Sequence, residues 1–346
     1  MQNHTQIVKC VLMEGGRRVK EIRLGTIGSG IIVHAILNAV RVTEGIICTA
    51  VYSRTKEKGQ ALADEYEIPA VYTDIDEMLR DENVNFIYIA SPNILHYEQA
   101  KRALLAGKNV ICEKPFCSRA DQARELVTIA KDRGLFLIDA VPTAFLPNLD
   151  ILKRELHKVG RIKLVLSNYS QYSSRYDLLL KGEVPNVFSP EFAGGSLMDI
   201  NFYNVYLNVA LFGKPQKVVY YPNFFGNLVD TSGILVMQYD GFVSESAGAK
   251  DTWGVNFVQI EGEDGYIYIK DGSNGIAEIK IVTRETEEVF NEQDNPDRWF
   301  YEVQNLTKMI LEKDHNGNNE KIRIMLDVME VLELSRKSAG ILFPGD

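Results

Sequence analysis

The sequence predicts an α/β protein: an N-terminal doubly wound parallel sheet of the Rossmann type, then an α+β domain with an open, mainly antiparallel sheet. In residues 21–142, apolar strand-like runs alternate with helix-like segments, which is typical of a parallel sheet. In residues 143–346, several strand-like runs follow one another between glycine-containing turns, which favours antiparallel strands. We therefore expect a leader over residues 1–20, a dinucleotide-binding domain over 21–142 and a substrate-binding and oligomerisation domain over 143–346.

Length, charge and composition exclude several classes of protein. The chain has 346 residues, 45% of them hydrophobic, which suffices for about two packed domains. Its net charge of -9 argues against a nucleic-acid partner, because binding phosphates needs clustered Lys and Arg. No apolar run has the length of a membrane span, and residues 1–20 lack the apolar core of a signal peptide, so we expect a cytoplasmic protein. Four cysteines without a CxxC pair and five histidines without HExxH predict neither a disulfide framework nor a metal site.

The first strand, residues 21–27, leads into a glycine turn and a helix. We expect four residues of this turn to contact a dinucleotide: Gly28, Ser29, Gly30 and Ile31. Gly28 permits the tight turn, and Gly30 lets the backbone approach a pyrophosphate that rests on the helix N-terminus. Val33 stands where a third small residue is usual, and a GxG pair alone often marks only a turn. Its position between a strand and a helix nevertheless favours a dinucleotide site.

The second strand, residues 45–52, ends in a basic residue. A site specific for NAD usually places Asp or Glu here to hold the ribose 2′-hydroxyl, whereas this chain has Ser53 and Arg54. An arginine beside a hydroxyl can hold a 2′-phosphate through charge-assisted hydrogen bonds. We therefore expect NADP as the preferred cofactor and NAD as the second choice. The alternative is that Arg54 stacks on the adenine or faces solvent.

The fourth strand, residues 84–90, brings polar residues to the same edge of the sheet. The pattern between the second and fourth strands predicts a helix over 56–67, a strand over 70–72 and a helix over 75–80. Beyond the fourth strand lie Ser91, Pro92 and Asn93, where open α/β sheets bind their ligands. Pro92 and Asn93 are candidates to line the nicotinamide ribose. His96, in the helix that follows, is either a packing residue or a residue of the site.

The fifth strand ends in the most informative stretch of the chain. Its apolar residues run into Glu113 and Lys114, at the carboxyl end of a predicted buried strand. A lysine there could hold its ammonium over a bound cofactor and give or take a proton. Pro115 restricts the preceding residue and could form a cis bond that aims the lysine. The alternative is an exposed strand end before a turn. A helix over 119–133 and a sixth strand over 135–141 complete the sheet.

The second half opens with a helix over residues 149–159, a strand over 162–172 and a proline-bearing loop over 174–193. Long loops often carry function, and the candidate substrate contacts here are Tyr172, Arg175 and Tyr176. A glycine turn then opens a helix on which Asp199 and Tyr203 are four residues apart and share a face. A carboxylate and a phenol on one face could bind a polyol and move a proton, although such pairs are also common on ordinary helices.

Residues 216–283 are predicted to form antiparallel strands, and helices over 298–312 and 321–338 close the chain. We expect helices to cover one face of this sheet. The other face is predicted to carry Val218, Tyr220, Ile234, Val236 and Phe257. Because such a face is apolar, we expect it to pack against a second copy of the chain in a homodimer or homotetramer.

At this point the chain resembles the Gfo/Idh/MocA family of NAD(P)-dependent oxidoreductases over about residues 21–340, and most of all its glucose–fructose oxidoreductase, dimeric dihydrodiol dehydrogenase and xylose dehydrogenase branch. Four stretches carry the resemblance: Gly28-Ser-Gly30, Ser91-Pro-Asn-Ile-Leu-His96, Glu113-Lys-Pro115 and Gly194-Gly-Ser-Leu-Met-Asp199 with Tyr203. It implies that Lys114 is catalytic and that Asp199 positions the substrate. It also implies that Tyr203, where many members have histidine, donates or accepts the proton.

The resemblance implies hydride transfer between a nicotinamide and a carbinol carbon of a sugar, polyol or cyclic diol. A cation beside Tyr203 is expected to depress the pKa of its phenol. Two departures from the family pattern concern the substrate: Ala144 stands where the related branch often has an arginine, and Asn201 replaces a usual glycine. The alternatives are a sensor that binds NADP without catalysis and an enzyme that keeps its cofactor bound while coupling two substrates.

Overall fold

The computed structural model describes residues 21–226 and 229–346, so the leader predicted over residues 1–20 lies outside the described residues. The first half forms a six-stranded parallel sheet, which confirms the predicted doubly wound fold. Its strands are β1 (Ile22–Ile27), β2 (Ile46–Tyr52), β3 (Ala70–Tyr72), β4 (Phe86–Ile89), β5 (Asn109–Glu113) and β6 (Leu137–Ala140). They lie in the order β3-β2-β1-β4-β5-β6. The order reverses between β1 and β4, and ligands of such sheets bind beyond the carboxyl ends at that point.

Helices cover both faces of this sheet, so its strands read as nearly continuous apolar runs. Every residue of β4 and of β6 is buried. The connecting helices are α1 (Ile31–Arg41), α2 (Lys56–Tyr66), α3 (Ile75–Arg80), α4 (His96–Leu105) and α5 (Ala120–Arg133). A 3₁₀ turn over Asn93–Leu95 precedes α4, and another over Pro142–Phe145 follows β6. The predicted division of domains after residue 142 stays a prediction.

The stretch over residues 147–212 is more helical than predicted. It contains α6 (Pro147–Glu155), α7 (Tyr176–Leu180), α8 (Ser196–Asp199) and α9 (Phe202–Phe212). The single helix predicted to run through Asp199 and Tyr203 is therefore wrong, because α8 and α9 are separate. The backbone N–H groups of Ile200 and Asn201 both donate to the Ser196 carbonyl, which ends the first helix. The Asn201 side chain then donates to the Ser246 carbonyl at 2.9 Å, and such a bond competes with helix continuation.

The second sheet has eight strands in the order β14-β13-β12-β11-β7-β10-β9-β8. They are β7 (Ile162–Ser170), β8 (Lys217–Phe224), β9 (Asp230–Gln238), β10 (Val243–Ala249), β11 (Phe257–Gly262), β12 (Gly265–Lys270), β13 (Glu278–Thr283) and β14 (Glu287–Phe290). Neighbouring strands are antiparallel except β7 and β10, which are parallel. This arrangement confirms the predicted mainly antiparallel sheet.

The outward face of this sheet differs from the predicted one at β8. Ile234, opposite Tyr221, is 42% exposed and Tyr221 is 63% exposed. Tyr220, by contrast, is buried opposite the buried Leu235, and Val218 shares its inward face. The prediction that Val218 and Tyr220 lie on the outward face was therefore wrong. Successive side chains of a strand point to opposite faces, so a shift of one residue moves a side chain to the other face. Val236 and Phe257 lie outward, as predicted.

The last two helices return to the first sheet. Helix α10 (Arg298–Leu311) contacts α1, and α11 (His315–Ser338) contacts α5 and β6. Helix α11 starts six residues earlier than predicted, because the Asp314 side chain caps it by accepting from the Gly317 N–H at 2.9 Å. Across the two described ranges, no helix is long and apolar enough to cross a membrane. The cytoplasmic location stays a prediction.

Candidate active site

A cleft of about 690 Å³ lies beyond the carboxyl ends of β1, β4 and β5, and residues of the second half close it. The predicted site residues that line it are Gly30, Ile31, Ser91, Pro92, Asn93, His96, Glu113, Lys114, Tyr172, Arg175, Asp199 and Tyr203. The structure thus brings the predicted catalytic residues and many of the cofactor candidates to one place. Five further candidates are not in this lining: Gly28, Ser29, Ser53, Arg54 and Tyr176. Tyr176 packs against Phe188 and Phe225 instead.

The glycine turn has the shape that a pyrophosphate needs. Gly28 has a φ of +122°, and a Cβ on it would lie 2.7 Å from the Ala90 carbonyl oxygen, so only glycine fits. A Cβ on Gly30 would meet nothing within 4 Å, and Ile31 is 79% exposed. Open space therefore adjoins the N-terminus of α1, whose free N–H groups attract phosphate. These residues fit the pyrophosphate of a dinucleotide.

Ser53 and Arg54 lie just beyond the carboxyl end of β2, beside the glycine turn that follows β1. Ser53 is buried and donates its backbone N–H to the Tyr72 carbonyl at 3.0 Å. The Arg54 side chain is exposed and makes no hydrogen bond or ion pair with another described residue. Its guanidinium is therefore available to an anionic group.

Lys114 joins the two halves of the chain at the floor of the cleft. It follows β5 directly, and its peptide bond to Pro115 is cis. The Nζ atom donates to the Asp199 carboxylate at 2.8 Å and to the Asp199 backbone carbonyl at 2.9 Å. Burial lowers the pKa of Lys114, but the Asp199 carboxylate together with Tyr203 and Glu113 raises the net pKa above its ordinary range. An ammonium has three donors, so one remains for a ligand in the cleft.

Asp199 is held between two lysines. Its Oδ1 accepts from Lys114 and its Oδ2 accepts from Lys250, which also lines the cleft. Burial would raise the pKa of Asp199, but the two ammonium groups hold it well below its usual range. Asp199 is therefore an ionised acceptor that orients the lysines, and it holds no proton to give.

Tyr203 places its ring against Lys114. The Lys114 Nζ atom lies 4.9 Å from the centre of the Tyr203 ring, and the Tyr169 ring packs edge-on at 5.8 Å. No described residue forms a hydrogen bond with the Tyr203 hydroxyl, so it is free for a ligand. The expected fall in the pKa of this phenol is wrong: burial raises it, and the cations of Lys114 and Arg298 offset only part of that rise.

His96 and Asn93 hold the loops at the edge of the sheet. His96 is buried, with Nε2 2.8 Å from the Ser91 carbonyl and Nδ1 3.0 Å from the Pro115 carbonyl. Burial lowers the pKa of its imidazole. Asn93 donates to the Ala193 carbonyl at 2.9 Å, on the loop that precedes α8. His96 thus borders the cleft but is engaged in fixing the chain around Pro115.

Three carboxyl groups are buried at the cleft: Glu113 lines it, whereas Asp139 and Glu302 are not in its lining. Glu113 accepts a hydrogen bond from the Tyr88 hydroxyl, whereas the carboxyl oxygens of Asp139 and Glu302 have no partner among the described residues. Burial raises the pKa of all three groups, and their mutual repulsion adds to it for Asp139 and Glu302. No set of three or more His, Cys, Asp or Glu side chains in the described ranges could hold a metal ion.

The sequence did not predict several residues that line the cleft. Among them are the charged side chains of Lys250 and Arg298 and the aromatic side chain of Trp299. Lys250 follows β10 and is 51 residues from Asp199 in sequence, so no local pattern links them. Arg298 begins α10, and its guanidinium lies 5.9 Å from the Tyr203 ring. Arg298 therefore places a guanidinium in the cleft, whereas Ala144 occupies the position where the related branch often has an arginine.

Asn201, the second departure from the family pattern, has a structural role. Its side chain is fully buried, donates to the Ser246 carbonyl and accepts from the Asn204 amide at 2.9 Å. Asn201 does not line the cleft, so it has no direct contact with a ligand there.

Comparison with known proteins identifies the family of the chain. Residues 22–139 match the model of the Gfo/Idh/MocA oxidoreductases, described as an oxidoreductase family with an NAD-binding Rossmann fold. A scyllo-inositol 2-dehydrogenase (NADP(+)) of Bacillus subtilis is 36% identical over 326 residues, which make up 94% of this chain and 99% of that protein. A trans-1,2-dihydrobenzene-1,2-diol dehydrogenase of Mus musculus is 26% identical over 347 residues, with 94% and 99% covered.

Solved structures share the fold at lower identity. A 3-ketoreductase from Actinomadura kijaniata, in complex with NADP and TDP-benzene, superposes with a TM-score of 0.82 at 20% identity. The match covers 92% of this chain and 98% of that one. At this identity the likeness shows the fold alone.

Proposed function

This chain belongs to the Gfo/Idh/MocA family of oxidoreductases, and from that premise we propose that it transfers a hydride between NADP and a carbinol or carbonyl carbon of a sugar, polyol or cyclic diol. The observation that carries the proposal is the Lys114 ammonium. It lies in the cleft with one donor free, between the Asp199 carboxylate and the Tyr203 ring. A cation fixed beside an unpaired phenol is suited to bind and protonate the oxygen of a substrate.

NADP supplies the hydride chemistry when it is bound, and residues of the first half would hold it. Gly28, Gly30 and the N-terminus of α1 would take the pyrophosphate. Arg54 and Ser53 would take the 2′-phosphate, because an exposed guanidinium with no partner among the described residues can form charge-assisted hydrogen bonds to it. The NADP(+) dependence named for the Bacillus subtilis relative supports the same preference.

Lys114 and Tyr203 would form the acid–base pair, with Asp199 positioning Lys114. The pKa of each of the two groups lies above its ordinary range, so both carry their protons at neutral pH. They can therefore donate directly when a carbonyl is reduced. Alcohol oxidation needs one of them deprotonated, so we expect its rate to rise with pH.

The walls of the substrate end suit a polyhydroxylated molecule. Hydroxyl and amide groups line it on Tyr169, Gln171, Ser173, Ser174 and Asn186. Tyr172 and Arg175 stand beside them, and the Tyr172 ring is stacked on Trp253 with centroids 5.6 Å apart. Neutral hydrogen-bonding groups beside an aromatic ring match the hydroxyls and carbon faces of sugars and cyclitols.

The test is nicotinamide absorbance with NADP and then NAD, over scyllo-inositol, D-xylose and a trans-dihydrodiol. Lys114→Ala is measured beside the wild type. We expect turnover by the wild type that is lost in Lys114→Ala, while nucleotide binding persists. Full activity of Lys114→Ala would contradict the assignment. Saturable nucleotide binding without turnover of any sugar, polyol or diol would favour a sensor, and nucleotide that survives purification would favour an enzyme that keeps its cofactor.

We also propose that the outward face of the second sheet pairs with a second copy of the chain. This face presents the apolar side chains of Val219, Tyr221, Ile234 and Val236, of which Tyr221 and Ile234 are exposed. Ile234→Lys places a charge in that face and should turn the dimer into a monomer in light scattering. Leu342→Lys, at an exposed site outside the sheet, is the control. An unchanged mass for Ile234→Lys would exclude this face as the interface.

A further inference from the structure

Lys250 shares the carboxylate of Asp199 with Lys114. Its Nζ atom donates to Oδ2, whereas the Lys114 Nζ atom donates to Oδ1 at 2.8 Å. Each carboxylate oxygen therefore carries one ammonium. Lys250 lines the cleft but is only 7% exposed, so it is not a mobile surface side chain.

The surroundings of Lys250 hold it at this position. It directly follows β10, and its backbone N–H donates to the Thr231 carbonyl at 2.8 Å. The Phe188 ring lies 5.7 Å from its Nζ atom. The buried Asp230 carboxyl is a further charge-bearing group near it. A buried ammonium is stable only with such partners, and here the closest one is the residue that also anchors Lys114.

We propose that Lys250 is a positioning residue of the active site: it fixes the orientation of the Asp199 carboxylate and divides its charge, so that Lys114 keeps a donor for the substrate oxygen and can release its proton during alcohol oxidation. This inference rests on the proposed oxidoreductase function and extends it to a residue of the second half.

The charges around Lys114 determine in which direction its pKa changes when the charge of Lys250 is removed. The groups that face it are Asp199, Tyr203, Glu113, His96 and Asp139. Lys250 reaches Lys114 through the shared carboxylate. Without the Lys250 charge, Asp199 would act on Lys114 alone and a like charge would be gone. Both changes favour the protonated form of Lys114, so its proton would be released at a higher pH.

The experiment compares Lys250→Gln with Lys250→Arg in the full-length protein. Gln keeps a donor for Asp199 without the charge, and Arg keeps the charge. We expect the acidic limb of kcat/KM for oxidation of scyllo-inositol by NADP to move up by about one pH unit in Lys250→Gln, with a loss of about tenfold at neutral pH. In Lys250→Arg the acidic limb of kcat/KM should stay at the pH found for the wild type. Lys108→Gln, a lysine that donates to Asp81 and Val84 carbonyls at the far edge of the first sheet, is the matched control.

A second readout does not need turnover. The pH dependence with which trinitrobenzenesulfonate modifies Lys114, followed by peptide mass spectrometry, should shift upward in Lys250→Gln. In Asp199→Asn, Lys114 should become reactive at a lower pH, because it loses the carboxylate through which Lys250 acts on it. This second comparison serves even if Lys250→Gln does not fold.

Several results would overturn the inference: a Lys250→Gln loss of equal size at every pH, a rise in KM alone, or Lys114 labelling that is the same in Asp199→Asn and the wild type. If no substrate is turned over by the wild type, the proposed function fails, while the labelling experiment still decides the role of Lys250.

Discussion

Lys114 and Asp199 are 85 residues apart in sequence, yet the Lys114 ammonium donates to both the carboxylate and the backbone carbonyl of Asp199. The contact with the backbone carbonyl fixes the position of the Lys114 Nζ atom, and the contact with the carboxylate stabilises its positive charge. Because one partner follows β5 and the other ends α8, the site exists only when the two halves are packed together. A change that loosens this packing would separate Lys114 from Asp199.

The Tyr203 hydroxyl is expected to matter for turnover and not for stability. Tyr203→Phe keeps the ring against Lys114 and Tyr169 and removes a hydroxyl that has no described partner. We expect kcat to fall by about 10²–10⁴-fold, with a free energy of unfolding within about 0.5 kcal/mol of the wild type. Steady-state kinetics and urea unfolding measure the two effects. Tyr206→Phe, on the same helix but outside the cleft, should keep kcat, and an equal loss in both variants would count against a chemical role for Tyr203.

Arg54 is expected to decide between the two nucleotides. Removing a charge-assisted hydrogen bond costs about 1.5–3 kcal/mol, so Arg54→Ala should weaken NADP binding by about 10- to 150-fold. The affinity for NAD should stay the same, because NAD has no 2′-phosphate. Titration calorimetry with both nucleotides gives the ratio. Lys58→Ala removes a nearby exposed charge on α2 and is the control for general electrostatic attraction. Equal loss of NADP and NAD affinity in Arg54→Ala would mean that the guanidinium holds a part common to both.

Local sequence patterns predicted most of the fold and the candidate site residues of the first half. The other features depend on contacts between residues that are distant in sequence. The glycine turn and the position of Lys114 follow from strand ends, which a short stretch of sequence reveals. A shared helix face predicted that Asp199 and Tyr203 lie together, but the two residues belong to separate helices. Lys250 and Arg298 have no local signal, because each enters the cleft from a distant strand or helix end. The predicted outward face failed at β8 because a shift of one residue exchanges the two faces of a strand.

Asn201 is expected to support the fold and leave the chemistry unchanged. Asn201→Ala would leave the Ser246 carbonyl and the Asn204 amide each short of one partner in a buried place. Such a loss costs about 1–3 kcal/mol of stability. Urea unfolding should show it, while KM for the substrate stays that of the wild type. Asn223→Ala, which removes an exposed hydrogen bond to Ser232, should cost less than about 0.5 kcal/mol. A change in substrate preference in Asn201→Ala would instead make this position a determinant of specificity.

Glu302 is expected to make stability depend on pH. It is fully buried on α10, and neither of its carboxyl oxygens has a partner among the described residues. Burial raises the pKa of Glu302 well above its ordinary range, and the nearby Glu113 and Asp139 raise it further, while Arg298 opposes them. The folded protein therefore keeps this proton at a pH where the unfolded chain has lost it. Stability falls wherever the folded state binds more protons than the unfolded one as pH rises.

Glu302→Gln replaces the titrating group by a neutral amide of the same shape, and its effect should grow with pH. Near pH 4, about the pKa of Glu in an unfolded chain, Glu302 is largely protonated in both states and the two proteins should unfold with similar free energies. Toward about pH 8 the variant should become the more stable, by up to about 1.4 kcal/mol for each pH unit above that pKa, because the folded wild type keeps a proton that its unfolded chain has lost. Urea unfolding across this pH range measures the difference, with Glu312→Gln at the exposed end of α10 as the control. A constant difference at every pH would show that Glu302 does not titrate between the folded and unfolded states.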